Sequence, residues 1–235
     1  LLAQAGQIVT LKTTLDGLVS ANTTRTPADL PYYLGEYNVP GPTNSLQISL
    51  ASGLFIAEVL GQLAGSGWAA ASLWDVLNGY NSPGTYGAGD QGFLSSGQTG
   101  VPDLTPRPTY YDFYFFSRNF DDRLVQATSS DPQVRVWAST FTGGGIGMVA
   151  VNEDTSSRSL TVSIAGASVS GQANEWILSG PSLEGPTVTL NGVGNGVAAG
   201  GPAPESVTPY TLTVAAAGSV SVDVPAASVT SIVIY

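Results

Sequence analysis

The 235-residue sequence contains no cysteine and no histidine. These two absences exclude disulfides, thiol nucleophiles, zinc sites of the Cys/His type and Ser-His-Asp triads. Any acid–base chemistry must therefore come from carboxylates, tyrosines or water. Charge is also scarce: charged residues make up 10%, the net charge is −10, and Lys12 is the only lysine. An acidic chain without a basic cluster cannot neutralise a phosphate backbone, which argues against nucleic-acid binding. It equally lacks the polybasic face that would hold it to an anionic membrane. No apolar run approaches the ~20 residues of a membrane span, and the longest candidate, Gly53–Leu63, is interrupted by Glu58. The chain opens at Leu1 with no signal-peptide pattern, and its first residues read as the middle of a fold. We expect a fragment or processed product of a longer, secreted protein.

Hydrophobic residues make up 43%, enough for a packed core, and they are patterned differently in the two halves. Ile8, Leu11, Leu15 and Leu18 recur at helical spacing and predict an amphipathic helix over about Gly6–Ser20. After a polar turn, Leu30–Val39 reads as a short buried strand, broken by Pro40, Gly41 and Pro42. Leu46–Ala64 has the broad apolar face of a second helix, and Trp68–Val76 reads as a second buried strand. Helix–strand–helix–strand is the alternation of a parallel α/β sheet. Residues 77–106 form a long Gly/Pro/Asn/Ser-rich loop, a length that suggests function. Pro108–Phe120 is a helix aromatic on nearly every face, expected to lie buried between two domains. From Arg123 onward the period becomes two. Leu160, Val162 and Ile164 alternate with polar residues, as do Val220, Val222 and Val224. Val134–Phe141, Ile146–Asn152, Glu175–Ser179 and Ser228–Tyr235 read as further strands, and Asn191–Pro204 as a flexible surface loop. Short strands at this spacing predict an antiparallel sandwich. The expected division is 1–120 and 121–235.

Two segments carry chemistry. In Tyr32-Tyr33-Leu34-Gly35-Glu36-Tyr37-Asn38 a carboxylate sits at the C-terminal end of an apolar strand, the face on which parallel α/β barrels build active sites. Such a Glu either has a catalytic task or pairs with an Arg at the strand end. Trp74 ends the following strand, in Ser72-Leu73-Trp74-Asp75-Val76. Its indole either supports a sugar ring or fills the mouth of the barrel.

The stretch from Leu30 to Phe120 resembles the last two βα units of a clan A glycoside hydrolase (β/α)8 barrel. Gly35-Glu36-Tyr37-Asn38 is similar to the end of the clan's seventh strand, which carries the nucleophile, and Ser72-Leu73-Trp74 to its eighth. The closing segment Pro225–Val233 resembles the last strand of the appended β-sandwich. Family 44 endoglucanases and xyloglucanases are the most similar, followed by families of β-xylosidases and α-L-arabinofuranosidases. The resemblance implies a TIM-type barrel portion followed by a sandwich, and a retaining, endo-β-glucanase-like attack on plant or microbial polysaccharide. It casts Glu36 as nucleophile and Trp74 as sugar platform, with Asn78, Tyr80 and Tyr86 lining the cleft, and it requires no metal or organic cofactor. Asp121-Asp122 is read as solvating a turn rather than holding calcium. The clan also needs an acid/base carboxyl ~5–5.5 Å from the nucleophile, and Asp75, Asp90 and Asp103 do not match its position. That group is expected on a second polypeptide or a preceding segment that completes the barrel. Two other readings stay open: a non-catalytic carbohydrate-binding module, and a structural subunit of an extracellular assembly.

Overall fold

The computed structural model describes residues 1–39, 45–78, 91–97, 100–166, 169, 171–215 and 218–235. The first half is mixed α/β. Helix α1 (Gln7–Asn22) leads through a short 3-10 turn at Pro27–Asp29 into β1 (Tyr33–Tyr37), and helix α2 (Leu50–Gly65) into β2 (Ala70–Leu73). β1 and β2 are parallel neighbours in a sheet of two, with Tyr33 opposite Ala70 and Leu34 opposite Ala71. The strand–helix–strand spacing predicted this unit correctly. The expectation that both strands are buried is not met: Tyr33 is 69% exposed, and neither strand contains a fully buried residue. Among the described residues neither strand has a second strand beside it, so one edge of each stays open. Helix α1 follows the predicted spacing, yet it buries no residue, and Leu11 and Leu18 are 43% and 56% exposed.

Helix α2 is the hub. Leu46–Ala64 does not form one helix: a 3-10 turn occupies Ser45–Ile48, and Ser49 then caps α2, its hydroxyl accepting from the Ser52 amide. A Ser at this position satisfies one of the amides that a helix start leaves without a partner. Two more are met from far along the chain, Leu50 N donating to Gly185 O and Ala51 N to Leu183 O, at 3.0 and 2.8 Å. Gly61 lies against the ring of Trp137, where there is no room for a Cβ.

Residues 77–106, expected to be one long loop, contain a small antiparallel hairpin of β3 (Leu94–Ser96) and β4 (Asp103–Pro106). Helix α3 (Pro108–Arg118) follows with Pro108 in its first turn, where a missing amide costs nothing. Tyr111 and Phe115 are its fully buried aromatics.

The remainder is antiparallel. β5 (Arg123–Val125), β6 (Val134–Thr140) and β7 (Ile146–Asn152) precede β8 (Arg158–Ser163) and β9 (Gly171–Ser179). β10 (Thr189–Leu190), β11 (Tyr210–Val214), β12 (Ser219–Val224) and β13 (Ser228–Ile234) complete the chain. One sheet runs β10-β9-β13-β7-β6-β5 with β11 also on β9, while β8 and β12 pair separately. Alternation gives the large sheet two apolar faces. Val149, Val151, Leu178, Val229 and Val233 meet α2 and α3 through Leu50, Leu54, Tyr111 and Phe115. Ala150, Ile232 and Ile234 meet Val220, Val222 and Val224 of β12. The result is a sandwich-like region whose outer helical layer belongs to the α/β half. Asn191–Pro204 is not a loose loop. Asn191 is buried and its side chain bonds Ile177 N, Glu175 O and Thr208 O, while Gly201 N donates to Pro106 O.

Candidate functional site

The parallel pairing of β1 and β2 brings the C-terminal ends of both strands to one rim. Leu34 pairs with Ala71 and Tyr37 with Leu73, so Gly35 and Glu36 together stand opposite Ser72. This is a β-bulge, a feature that re-aims a side chain where regular pairing would send it to the other face. Leu34 and Tyr37 both turn toward the helices, while Gly35 and Glu36 are exposed on the open side. No described residue bonds or ion-pairs with the Glu36 carboxylate. The pairing with an Arg that the sequence left open is therefore not seen.

Trp74 begins where the ladder ends. Its amide donates to Tyr37 O at 3.0 Å and its carbonyl accepts from Asn38 Nδ2, while the side chain is 50% exposed. The indole is presented rather than packed. Asn38 also donates to Gln91 O at 3.0 Å and accepts from Val39 N at 2.6 Å. Gln91 N in turn donates to Asn78 Oδ1 at 2.8 Å. Residues 91–94 lie beside 75–78, with Phe93 N donating to Asp75 O and Leu94 N to Val76 O, both at 3.0 Å. Gly92 permits this approach, since a Cβ there would lie 2.9 Å from Leu77 Cα. Arg107, 2% exposed, holds the returning segment by donating from Nη1 to Gly92 O at 3.0 Å. Tyr80 and Tyr86 lie outside the described residues.

Behind the rim lie buried acids. Asp112 of α3 is 0% exposed, and among the described residues neither carboxyl oxygen has a hydrogen-bond partner. Burial pushes its carboxyl well above the usual carboxylate range and so favours the protonated acid. The Tyr37 hydroxyl is raised too, chiefly by burial and then by the nearby Asp112. Glu58 of α2 lies on the sheet side with its Oε1 3.5 Å from Arg135 Nε. Burial first, then Glu153, raises it to about 7 against the pull of Arg135. Composition gave no sign of these buried acids. The clamp on Trp74 had a legible cue, because an Asn that ends a strand before a Pro/Gly break can bond backbone groups where the ladder stops.

A groove of about 590 Å³ lies between α1, β1 and α2, lined by Ile8, Leu11, Leu34, Tyr37, Phe55 and Val59 among others. Glu36 does not line it, although its neighbours Tyr37 and Asn38 do, and its walls are mainly apolar. Among the described residues no three His, Cys, Asp or Glu side chains gather as metal ligands. Asp121 accepts from Asp122 N and Thr142 N, which is turn capping. No helix among the described residues is long and apolar enough to cross a membrane.

No family model and no curated protein matches this sequence. Solved structures do. A bifunctional glucanase-xylanase, CelM2, from a metagenome library superposes with a TM-score of 0.62 at 19% identity, over 96% of this chain and 34% of that one. A family 44 endoglucanase from Clostridium acetobutylium gives 0.62 at 14% identity, over 95% and 35%. A family 51 arabinofuranosidase from Xanthomonas axonopodis pv. citri gives 0.59 at 17%, over 99% and 48%. The fold is shared. Family 30 xylanases match as well, so the likeness extends across glycoside hydrolase families 30, 44 and 51 and singles out none of them. This chain spans between about a third and a half of the length of those three proteins.

Proposed function

We propose that this chain is the C-terminal part of a secreted retaining glycoside hydrolase that cleaves plant or microbial polysaccharide, with Glu36 as its nucleophile. Residues 1–120 would belong to a TIM-type barrel and 121–235 to its sandwich. The observation that carries the reading is the rim: a carboxylate with no partner among the described residues, on a bulge beside an exposed indole, at the C-terminal ends of parallel strands. A sugar seated on Trp74 would bring its anomeric carbon to Glu36. A Glu36 oxygen attacks that carbon as the glycosidic C–O bond breaks, and the acid/base, supplied by a preceding part of the barrel, protonates the departing oxygen. The same group then deprotonates a water, which attacks the glycosyl ester and frees Glu36. Asn78, Tyr80 and Tyr86 are proposed to line the cleft. The likeness to a glucanase-xylanase, an endoglucanase and an arabinofuranosidase supports a polysaccharide or oligosaccharide substrate and leaves the sugar to experiment.

The test uses the full-length protein and a panel of 2-fluoro glycosides with glucosyl, xylosyl and arabinosyl groups. One of them should label Glu36 covalently, read by peptide mapping. In Glu36→Gln, turnover on xylan, xyloglucan or β-glucan should fall by several orders of magnitude with retained folding. Label on another residue, or full activity in Glu36→Gln, would leave Glu36 a structural role. Glycan binding without turnover would favour the carbohydrate-binding module.

A further inference from the structure

The β1–β2 ladder ends with Trp74 N donating to Tyr37 O. One residue further, the job of holding the chains together passes to a side chain. Asn38 places one Nδ2 hydrogen on Trp74 O and the other on Gln91 O, and its Oδ1 accepts from Val39 N. Three of the four bonds an Asn can make are used, and they join three segments: the strand carrying Glu36, the start of the Trp74 segment and the return at Gln91. We propose that Asn38 is a positioning residue that fixes the Trp74 platform relative to Glu36. The inference rests on reading those two residues as platform and nucleophile.

The chemistry requires such a tie. The sugar must rest on the indole while its anomeric carbon meets the carboxylate, and a misplacement of about 1 Å can cost on the order of 10²-fold in rate. Glu36 sits on a bulge, where ladder bonds do not define the strand end fully. Trp74 has its side chain half in solvent, so packing holds it weakly and its backbone must hold it instead. Asp at position 38 would have the same shape, but its ionised carboxylate has no hydrogen to donate. It would face the carbonyls of Trp74 and Gln91 with like partial charge.

A double-mutant cycle on the full-length protein tests this, with kcat and KM measured on whichever of soluble xylan, xyloglucan or β-glucan is turned over. Trp74→Ala and Asn38→Ala should each lower kcat/KM by roughly 10- to 100-fold. The double variant should be little worse than the worse single, because Asn38 acts through Trp74. Effects that multiply would overturn the inference and leave the nucleophile reading untouched, as would an Asn38→Ala protein with lowered Tm but normal kinetics. If Trp74→Ala alone has normal kinetics, the platform reading fails and this inference with it. Should Asn38→Ala not fold, Asn38→Asp serves. Its deficit relative to the parent should shrink toward acid pH, where the protonated carboxyl regains one donor, and a deficit constant with pH would overturn the proposal.

Discussion

Gly61 offers a quantitative test of how α2 sits on the large sheet. An added Cβ would lie 2.2 Å from Cδ2 and 2.3 Å from Cε2 of Trp137, inside any permitted contact. Gly61→Ala should gain about 1 kcal/mol in helix propensity. Against this, either α2 must lift off β6 by more than an ångström or the indole must leave the position it fills. Overpacking typically costs about 1–3 kcal/mol, and a contact this short against a ring puts Gly61 in the upper half of that range, about 2–3 kcal/mol, so the clash wins and a net loss of about 1–2 kcal/mol is expected. For a chain of this size that corresponds to a Tm lower by roughly 2–8 °C. Gly17 in α1 is the control, because an added Cβ meets nothing within 4 Å. Gly17→Ala should be neutral or stabilising by up to about 1 kcal/mol. Thermal and urea melts of both variants, and of Gly61→Ala combined with Trp137→Leu, separate the terms. If Gly61→Ala is as stabilising as Gly17→Ala, α2 does not rest on Trp137 and the account of this interface is wrong.

Glu58 has a side chain 6% exposed and titrates near 7 rather than the usual 4.5. Its proton is held more tightly in the folded state, so its contribution is full below about pH 4.5 and lost as pH rises through 7. The full shift corresponds to an expected effect of about 3 kcal/mol; Arg135, which opposes it, is 58% exposed and its pull is screened by solvent. Glu58→Gln should flatten the stability profile between pH 5 and 8 in urea melts, and an unchanged slope would place the titration elsewhere. The Tyr111 hydroxyl donates to Pro202 O at 2.6 Å in a buried setting. Tyr111→Phe should cost about 1–3 kcal/mol by leaving that carbonyl unmet, and a loss under 0.5 kcal/mol in the same melts would show that water replaces it.

What the sequence reveals follows from how local each signal is. Helical spacing at Ile8, Leu11 and Leu15 and alternation at Val220, Val222 and Val224 place real elements, because period reflects which side a residue can bury. The parallel pairing of β1 and β2 was likewise readable from strand–helix–strand spacing. Burial was not. Tyr33 and Leu18 look like core residues, yet they are 69% and 56% exposed, because burial depends on what packs opposite and not on residue type. The β3–β4 hairpin was hidden because Leu94-Ser95-Ser96 is too short to show a period. Asn191–Pro204 reads as loose from its glycines, yet Asn191 is anchored by distant backbone groups that no window contains. At the site, the strand-end position of Glu36 and Trp74 was legible. Asn38 offered a cue through its place before the Pro/Gly break, but its partners Trp74 and Gln91 did not show, and neither did the bulge or the buried Asp112, since each depends on register or on what packs opposite.

The bonds from Leu50 N to Gly185 O and from Ala51 N to Leu183 O have a temporal meaning. A chain emerging from the ribosome makes α2 long before residues 183–185 exist, since synthesis runs at only about 5–20 residues per second. Until the late segment arrives, the start of α2 lacks these two acceptors. The start of α2 is therefore among the last regions to be finished, and ribosome-stalled chains ending before Leu183 should hold it frayed. The order of translation itself thus decides when this helix closes.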